Sequence, residues 1–269
     1  MSFENKVVLV TGASAGIGKA IALLFAERGA RLAIVGRNNA GKLRAVADAC
    51  AVAVASAGRP LEIVADLSTD EGCERTAKET LDHYGRLDVL INNAGVGART
   101  DLAGTDMAIF DKVFNINVRG VYNLTRLLAP ELIKTKGNIV NISSISGTAV
   151  AVGSLPYSMS KAALDHFTKL IALELAPKGV RVNTVSPGVT VSDFVQRITG
   201  ISDEAYSEFL TNMAAGIPMG RVCQPEHIAK MVAFLASEDS ELVTGTIVKV
   251  DGGADLHIDF THMAKQTQK

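Results

Sequence analysis

Seven short apolar runs, rich in valine and isoleucine, alternate along this chain with longer segments of helical period. The runs fall at 6–10, 31–35, 61–65, 89–92, 138–142, 181–185 and 247–250. They are continuously apolar rather than alternating, the pattern of strands buried on both faces of a parallel sheet. Helical patterns fill the gaps at about 16–28, 40–55, 69–84, 106–133, 156–176 and 224–236. Parallel neighbours need a crossover connection, and a helix is the usual one. The alternation therefore predicts an α/β fold: a single doubly wound domain with helices on both faces of its sheet. At 269 residues the chain suits one substantial core and is short for two ordinary domains. One segment breaks the rhythm. Residues 192–223 form a long excursion between the sixth and seventh runs, closed by Pro218 and Gly220.

Charge and cysteine content exclude several function classes. With 27 basic and 28 acidic residues the formal net charge is −1, which offers no field for nucleic acid or an anionic membrane. Cys50, Cys73 and Cys223 are scattered, an odd count without metal-ligand spacing. That argues against a disulfide framework and suits a reducing, cytoplasmic setting. The apolar run Val7-Val8-Leu9-Val10 is too short for a signal peptide, and no stretch reaches the length of a membrane span. The last four residues carry no targeting or prenylation signal. His83, His166 and His227 are too dispersed to hold a metal, and His257, Asp259 and His262 read as a solvated tail.

The first strand runs into Thr11-Gly12-Ala13-Ser14-Ala15-Gly16-Ile17-Gly18, and a helix follows. Strand, glycine turn and helix N-terminus together make an anion site, because backbone N–H groups and the helix dipole converge there. Glycines permit the tight turn and the close approach of a pyrophosphate. The spacing is G-x-x-x-G-x-G rather than the commoner G-x-G-x-x-G, and it predicts a Rossmann-like dinucleotide site using Gly12, Ser14, Gly16, Ile17 and Gly18. A site for NAD(H) usually places a carboxylate at the end of the second strand to hold the ribose 2′-hydroxyl. This chain has Val35-Gly36-Arg37-Asn38 there. A guanidinium is well shaped for a 2′-phosphate, so Arg37 and Asn38 point to NADP(H), with NAD(H) the lesser alternative. Asp66 and Leu67, ending the third strand, are placed for the adenine; Asp66 serves equally as a turn former before the next helix.

Tyr157 and Lys161 lie four residues apart on a predicted helix, hence on one face, one turn apart. A phenol titrates near pH 10 and is a poor acid or base at neutrality. An ammonium beside it favours the phenolate, making the pair a general acid/base for an alcohol or ketone. Alone, Y-x-x-x-K is a common helical coincidence.

Together these residues resemble the short-chain dehydrogenase/reductase family, in its shorter single-domain branch. The resemblance covers residues 6 to 253. It rests on 11–18, Asn92-Asn93-Ala94-Gly95, Asn117, Ser144, Tyr157 with Lys161, Pro187-Gly188 and Val250-Asp251-Gly252-Gly253, in that order. It implies a seven-stranded parallel sheet, a nicotinamide cofactor and a catalytic tetrad. Tyr157 would pass the proton, and Lys161 would hold the nicotinamide ribose and depress the tyrosine pKa. Ser144, thirteen residues before Tyr157, would hydrogen-bond the substrate oxygen. Ser143 is its rival. Asn117 would hold a water behind Lys161. Asn92, Asn93, Ala94 and Gly95 would back the adenosine ribose or brace the sheet. Pro187, Gly188, Val189 and Thr190 would bend the chain around the nicotinamide. The family often has a threonine five positions after that proline; here it is Ser192, so either Thr190 or Ser192 meets the carboxamide.

The excursion 192–223 reads as a lid over the substrate, with Phe209, Leu210 and Met213 on one apolar face. The segment 148–155 is apolar and uncharged, and Arg197 is the single basic candidate for a substrate carboxylate. The expectation is an apolar carbonyl or alcohol, such as a steroid, terpenoid or xenobiotic ketone. The alternative is a 3-oxoacyl-acyl-carrier-protein reductase, with Arg119 and Arg126 facing an acidic carrier. A non-catalytic cofactor sensor would be expected to lose part of Ser144, Tyr157 and Lys161, and all three are present. The resemblance and two long helices, whose outer faces are expected to carry Leu124, Leu127, Leu128, Phe167 and Leu170, predict a homo-oligomer, tetramer or dimer.

Overall fold

The computed structural model of the protein describes residues 1–37, 40–53 and 58–256. Asn38, His257, Asp259, His262 and the end of the helix expected at 40–55 lie outside the described residues.

Seven strands form one parallel sheet in the order β3-β2-β1-β4-β5-β6-β7. They are β1 (Val7–Thr11), β2 (Arg31–Gly36), β3 (Leu61–Val64), β4 (Val89–Asn92), β5 (Asn138–Ile142), β6 (Arg181–Pro187) and β7 (Ile247–Val250). Each coincides with a predicted run to within two residues at either end. β1, β4 and β5 are buried along their whole length, which explains why their sequences do not alternate. Strand order reverses direction between β1 and β4, where the chain passes from one side of the sheet to the other. A crevice opens at the carboxyl ends of the strands at such a point.

Two apolar layers cover the sheet. On one face Val8, Val10 and Ile34 pack under Ile21 and Phe25 of α1 (Gly16–Glu27), Leu43 of α2 (Ala40–Ala53) and Ile228 and Val232 of α9 (Pro225–Ala236). On the other, Leu9, Val35 and Leu90 pack under Ala77 of α3 (Asp70–Tyr84), Leu124, Leu128 and Leu132 of α5 (Val121–Thr135), and Ala172 and Leu175 of α6 (Leu155–Leu175). Local chemistry sets several helix ends. Thr69 caps α3 by accepting from Gly72 N at 3.0 Å, and Gly85, with φ 69°, ends it in the left-handed region.

The structure corrects two expectations. The helix expected over 106–133 is interrupted: α4 (Met107–Phe114) passes into a π-helical stretch, Asn115–Gly120, before α5 resumes. There Gly120 approaches the loop after β3 so closely that a Cβ on it would lie 2.1 Å from Leu67 O. Second, Leu124 and Leu128 are fully buried core residues rather than outward-facing ones, and Leu127 packs against the same layer. The exposed apolar side chains of these helices include Met107, Tyr122, Met159, Leu170 and Leu173. The excursion 192–223 contains two helices, α7 (Phe194–Thr199) and α8 (Asp203–Gly216), joined at Gly200. The Tyr206 hydroxyl ties them to the base of the lid, accepting from Ser192 N at 2.9 Å and donating to Ser192 O at 2.8 Å.

Candidate active site

The glycine turn after β1 has no room for a side chain at Gly12 or Gly18. Gly12 and Gly16 take φ of 65° and 53°. A Cβ at Gly12 would lie 2.9 Å from Ala94 Cα, and one at Gly18 would lie 2.2 Å from Gly12 O. Asn93 braces the turn from β4, donating through Nδ2 to Thr11 O at 2.8 Å and Gly12 O at 3.2 Å. Thr11 Oγ1 accepts from the N–H groups of Asn93 and Ala94 at 2.9 and 3.0 Å. α1 then opens without a side-chain cap and without an acidic residue in its first turn. Its leading N–H groups and dipole are left for an anion. Ile17, in that first turn, packs against the core. This bare, electropositive cradle fits the pyrophosphate of a dinucleotide.

Around it lie the remaining residues named from the sequence. Ser14 Cβ stands 3.5 Å from where a Gly36 Cβ would be, so the turn touches the end of β2. Arg37 follows, exposed and without an ion pair among the described residues. Asp66 folds back on its own turn, accepting from Ser68 N at 3.0 Å and Ser68 Oγ at 2.8 Å. The Leu67 side chain is buried in the core. Asn92 faces inward, and its Nδ2 donates to Thr125 Oγ1 and Asn141 Oδ1 at 3.1 and 2.9 Å. On the far side Pro187 ends β6, and Gly188 N donates to Val250 O at 3.0 Å. Val189 O accepts from Cys223 N at 2.8 Å, which pins the lid's far end to this loop. Thr190 Oγ1 donates to Gly188 O at 3.0 Å. Ser192 Cβ lies 3.3 Å from the position of a Gly16 Cβ, so the start of the lid closes onto the glycine turn.

The catalytic candidates converge on α6. Ser144 stands just past β5, and its hydroxyl acts on the Tyr157 phenol, favouring the phenolate. It also caps the short turn Ile145–Gly147, accepting from Ser146 N at 3.2 Å. Its rival Ser143 points the other way, buried and donating to Lys161 O at 3.2 Å. Lys161 is 4 % exposed, and its Nζ donates to Ile142 O at 2.8 Å. The ammonium lies 5.7 Å from the Tyr157 ring centroid. Asn117, fully buried in the π-helical stretch, accepts from Val96 N and donates to Val96 O and Ser160 Oγ, all at 2.9 Å. A Cβ at Gly95 would touch both Asn117 Oδ1 and Lys161 Nζ, at 3.4 and 3.6 Å, so Gly95 separates these two groups.

The electrostatics differ from the expectation that Lys161 would depress the phenol. Burial pushes the Tyr157 phenol above its ordinary value, and the Ser144 hydrogen bond pulls against that. Burial also lowers the Lys161 ammonium to about 8, opposed by Asp165. Lys161 is directed at Ile142 O rather than at the phenol, so desolvation decides the direction for Tyr157. A phenol held protonated at neutrality is an acid poised to give its proton to a developing alkoxide.

Several site residues escaped the sequence reading. Asn141 Nδ2 donates to Thr168 Oγ1 at 2.8 Å, and Thr168 Oγ1 meets Thr184 Oγ1 at 2.8 Å. With Asn92 they form a buried polar line across β4, β5, α6 and β6 beneath the site. Polar residues inside otherwise apolar strands were its signal. The Phe194 ring rests against Tyr157, centroids 5.6 Å apart, and a Cβ at Gly97 would lie 2.7 Å from its Cζ. Among the described residues no cluster of three potential metal ligands occurs, and no helix is long and apolar enough to cross a membrane.

This arrangement has well-populated counterparts. The family model described as enoyl-(acyl carrier protein) reductase matches residues 12–255. The chain is 35% identical over 256 residues to the 3-oxoacyl-[acyl-carrier-protein] reductase of Thermotoga maritima, covering 94% of this chain and 99% of that protein. A short-chain dehydrogenase/reductase of Caenorhabditis elegans, solved with cofactor, superposes with a TM-score of 0.88 at 35% identity, covering 99% of both chains. The 3-ketoacyl-(acyl-carrier-protein) reductase of Brucella melitensis, solved with NADH, gives a TM-score of 0.84 at 31% identity, covering 94% of this chain and 100% of that one. With its parallel sheet, glycine cradle and Ser-Tyr-Lys grouping, the chain belongs to the short-chain dehydrogenase/reductase family and is an oxidoreductase.

Proposed function

We propose that the protein is an NADP(H)-dependent oxidoreductase that interconverts a carbonyl and a secondary alcohol on an apolar substrate. The observation that carries this reading is Tyr157 and Lys161 one turn apart on α6, the ammonium 5.7 Å from the phenol ring centroid, with Ser144 at the end of β5 acting on the phenol. When bound, the nicotinamide would supply or accept the hydride. The chain's own residues would do the rest. Gly12, Ser14, Gly16, Ile17 and Gly18 would hold the pyrophosphate, and Ala94 and Gly95 would line the sugar between the cradle and Lys161. Gly188, Val189 and Thr190 would flank the ring. Tyr157 would give its proton to the substrate oxygen during reduction and take it back during oxidation. Ser144 would donate to the same oxygen, a hydrogen bond that strengthens as negative charge builds there. Lys161 would hold positive charge beside the phenolate that remains, and Asn117 would fix the backbone behind it.

Three features support an apolar substrate. Val150 and Val152, near the start of α6, are 85 % and 92 % exposed. Phe194 and Ile198 face Gly97. Arg197 is occupied, 3.2 Å from Asp193 on its own helix, so it is not free for a substrate carboxylate. Reduction of an acyl-carrier-protein thioester remains the second reading, favoured by the Thermotoga maritima relative. Against it, Arg119 pairs with Asp70 at 2.7 Å, and Arg126 donates to Asn123 at 2.8 Å. Assay of free hydrophobic ketones beside an acyl-carrier-protein-linked 3-oxo ester separates the two. The reading fails if only the carrier-linked substrate is turned over.

The preference for NADP(H) rests on the exposed guanidinium of Arg37 and the absence of a carboxylate from the sequence Val35-Gly36-Arg37-Asn38 at the end of β2. Arg37→Asp is expected to raise the KM for NADPH by about one to two orders of magnitude, the worth of a charge-assisted hydrogen bond, and to favour NADH. Equal kcat/KM for both cofactors in the unmodified protein would contradict the assignment.

A cytoplasmic homo-oligomer is part of the same proposal. Phe114, Val118, Tyr122, Leu164 and Phe167 line an apolar groove on α4, the π-helical stretch, α5 and α6. Leu170 and Leu173, further along α6, are exposed. Light scattering at micromolar concentration is expected to give a dimer or tetramer; a monomer alone would contradict this.

A further inference from the structure

Two fixed stretches of backbone meet near Tyr157, and one aromatic ring lies between them. The first is the loop after β4. Asn117 holds both backbone groups of Val96, accepting from its N–H and donating to its carbonyl, each at 2.9 Å. Gly97 follows directly, so its place is set by a fully buried asparagine. The second is the start of the lid. The Tyr206 hydroxyl holds both backbone groups of Ser192, at 2.9 and 2.8 Å, and Phe194 N donates to Ser192 Oγ at 3.4 Å. Phe194 and Ile198, one turn apart on α7, present one apolar face to Gly97.

The Phe194 ring fills the space that a side chain at position 97 would take. A Cβ there would lie 2.7 Å from Phe194 Cζ, 3.2 Å from its Cε1 and 3.5 Å from Ile198 Cγ2. Gly97 is not in the left-handed region, so its own conformation does not call for glycine; the ring does. That ring also meets Tyr157, with centroids 5.6 Å apart and planes inclined at 49°. Two layers of carbon contact need roughly 7 Å, so no part of a substrate fits between the two rings. The substrate oxygen must nevertheless come within about 3 Å of the phenol oxygen. A group flanking the carbonyl on that side therefore meets the edge of Phe194 or displaces it.

We propose that Phe194 is a specificity-determining residue that limits the bulk on one flank of the substrate carbonyl, with Gly97 leaving room for its ring. This rests on the reading of Tyr157 as the proton donor to a carbonyl oxygen. The pair favours an apolar ketone with one small flank, such as a methyl group, and disfavours a ketone branched beside the carbonyl on both sides. Because the backbone is held at Val96 and at Ser192, the ring is the part that must give when either the substrate or position 97 grows.

The test is a double-mutant cycle read on matched ketones. Acetophenone and isobutyrophenone share a phenyl flank and differ in the other, methyl against isopropyl. Hexyl methyl ketone and hexyl isopropyl ketone form an alkyl pair. In the unmodified protein kcat/KM is expected to favour the methyl member of each pair. Phe194→Ala should shift that ratio toward the isopropyl member by about tenfold, the scale on which a pocket distinguishes small alkyl groups. Phe194→Leu should shift it the same way by less, and it carries the test should the alanine variant fold poorly. Gly97→Ala should change kcat/KM for the methyl ketones by about fivefold while Phe194 is present, and by less than about twofold in Phe194→Ala, because residues in contact are coupled. Loss of activity in equal proportion on both members of a pair, with the ratio unmoved, overturns the proposal, since it is the mark of a lid that only packs. Equal effects of Gly97→Ala with and without the Phe194 ring overturn it as well. Turnover of no ketone by the unmodified protein would remove the underlying reading, and the proposal with it, before any variant is compared, so the two failures are seen separately.

Discussion

Tyr157→Phe is expected to lower turnover by about 10²–10⁴-fold, the usual worth of a positioned general acid, while cofactor affinity stays almost unchanged. The substitution removes only the hydroxyl. The ring keeps its place against Phe194, and α6 keeps its backbone. What disappears is the proton that burial holds on the phenol and the oxygen on which the Ser144 hydroxyl acts. Ser144→Ala is expected to cost kcat by a related route, because its hydrogen bond to the substrate oxygen strengthens in the transition state. Lys161→Ala should damage both affinity and rate, since that side chain serves both. Steady-state kinetics on any ketone the protein reduces, with NADPH titration by fluorescence, checks all three. If Tyr157→Phe kept more than about a tenth of the activity, outside even the low end of that range, Tyr157 would not be the proton donor.

Gly18→Ala should be the most damaging small substitution in the cofactor cradle. The added methyl would lie 2.2 Å from Gly12 O and 2.5 Å from Asn93 Nδ2. One of these contacts is backbone, so the glycine turn itself must move, and with it the N–H groups at the start of α1. Overpacking of this kind costs about 1–3 kcal/mol, and here it displaces the groups that would meet the pyrophosphate. NADPH affinity should fall by more than about tenfold, and the melting temperature should drop. Gly216→Ala is the control, because its position on α8 has nothing within 4 Å. It should leave both quantities unchanged. An NADPH affinity in Gly18→Ala within about twofold of the unmodified protein would mean that the cofactor does not bind at this turn.

The sheet was legible because its strands are buried on both faces, so β1, β4 and β5 carry uninterrupted apolar runs that no surface helix would. The glycine turn was legible for a different reason: positions 12 and 18 tolerate no Cβ, and only glycine satisfies that. Other features depend on contacts distant in sequence. The π-helical stretch Asn115–Gly120 has ordinary helical periodicity, and it lies where Gly120 approaches Leu67 O, across more than a whole strand and helix. Leu124 and Leu128 looked like an outer face because hydrophobicity does not reveal which side of a helix meets the sheet. Ser143 and Ser144 were inseparable by residue type. The end of β5 turns one toward Lys161 O and the other toward Tyr157.

The most direct test of the central claim, transfer of hydride at a carbonyl carbon within this site, is isotopic. Purified protein is incubated with a panel of hydrophobic ketones and NADPH carrying deuterium at position 4 of the nicotinamide, each stereoisomer in turn, and the product alcohols are analysed by mass spectrometry. The account predicts deuterium on the carbinol carbon with one stereoisomer, one alcohol formed per cofactor oxidised, and loss of both in Tyr157→Phe. Ketone consumed without oxidation of the cofactor, or alcohol formed without deuterium from either stereoisomer, would contradict it.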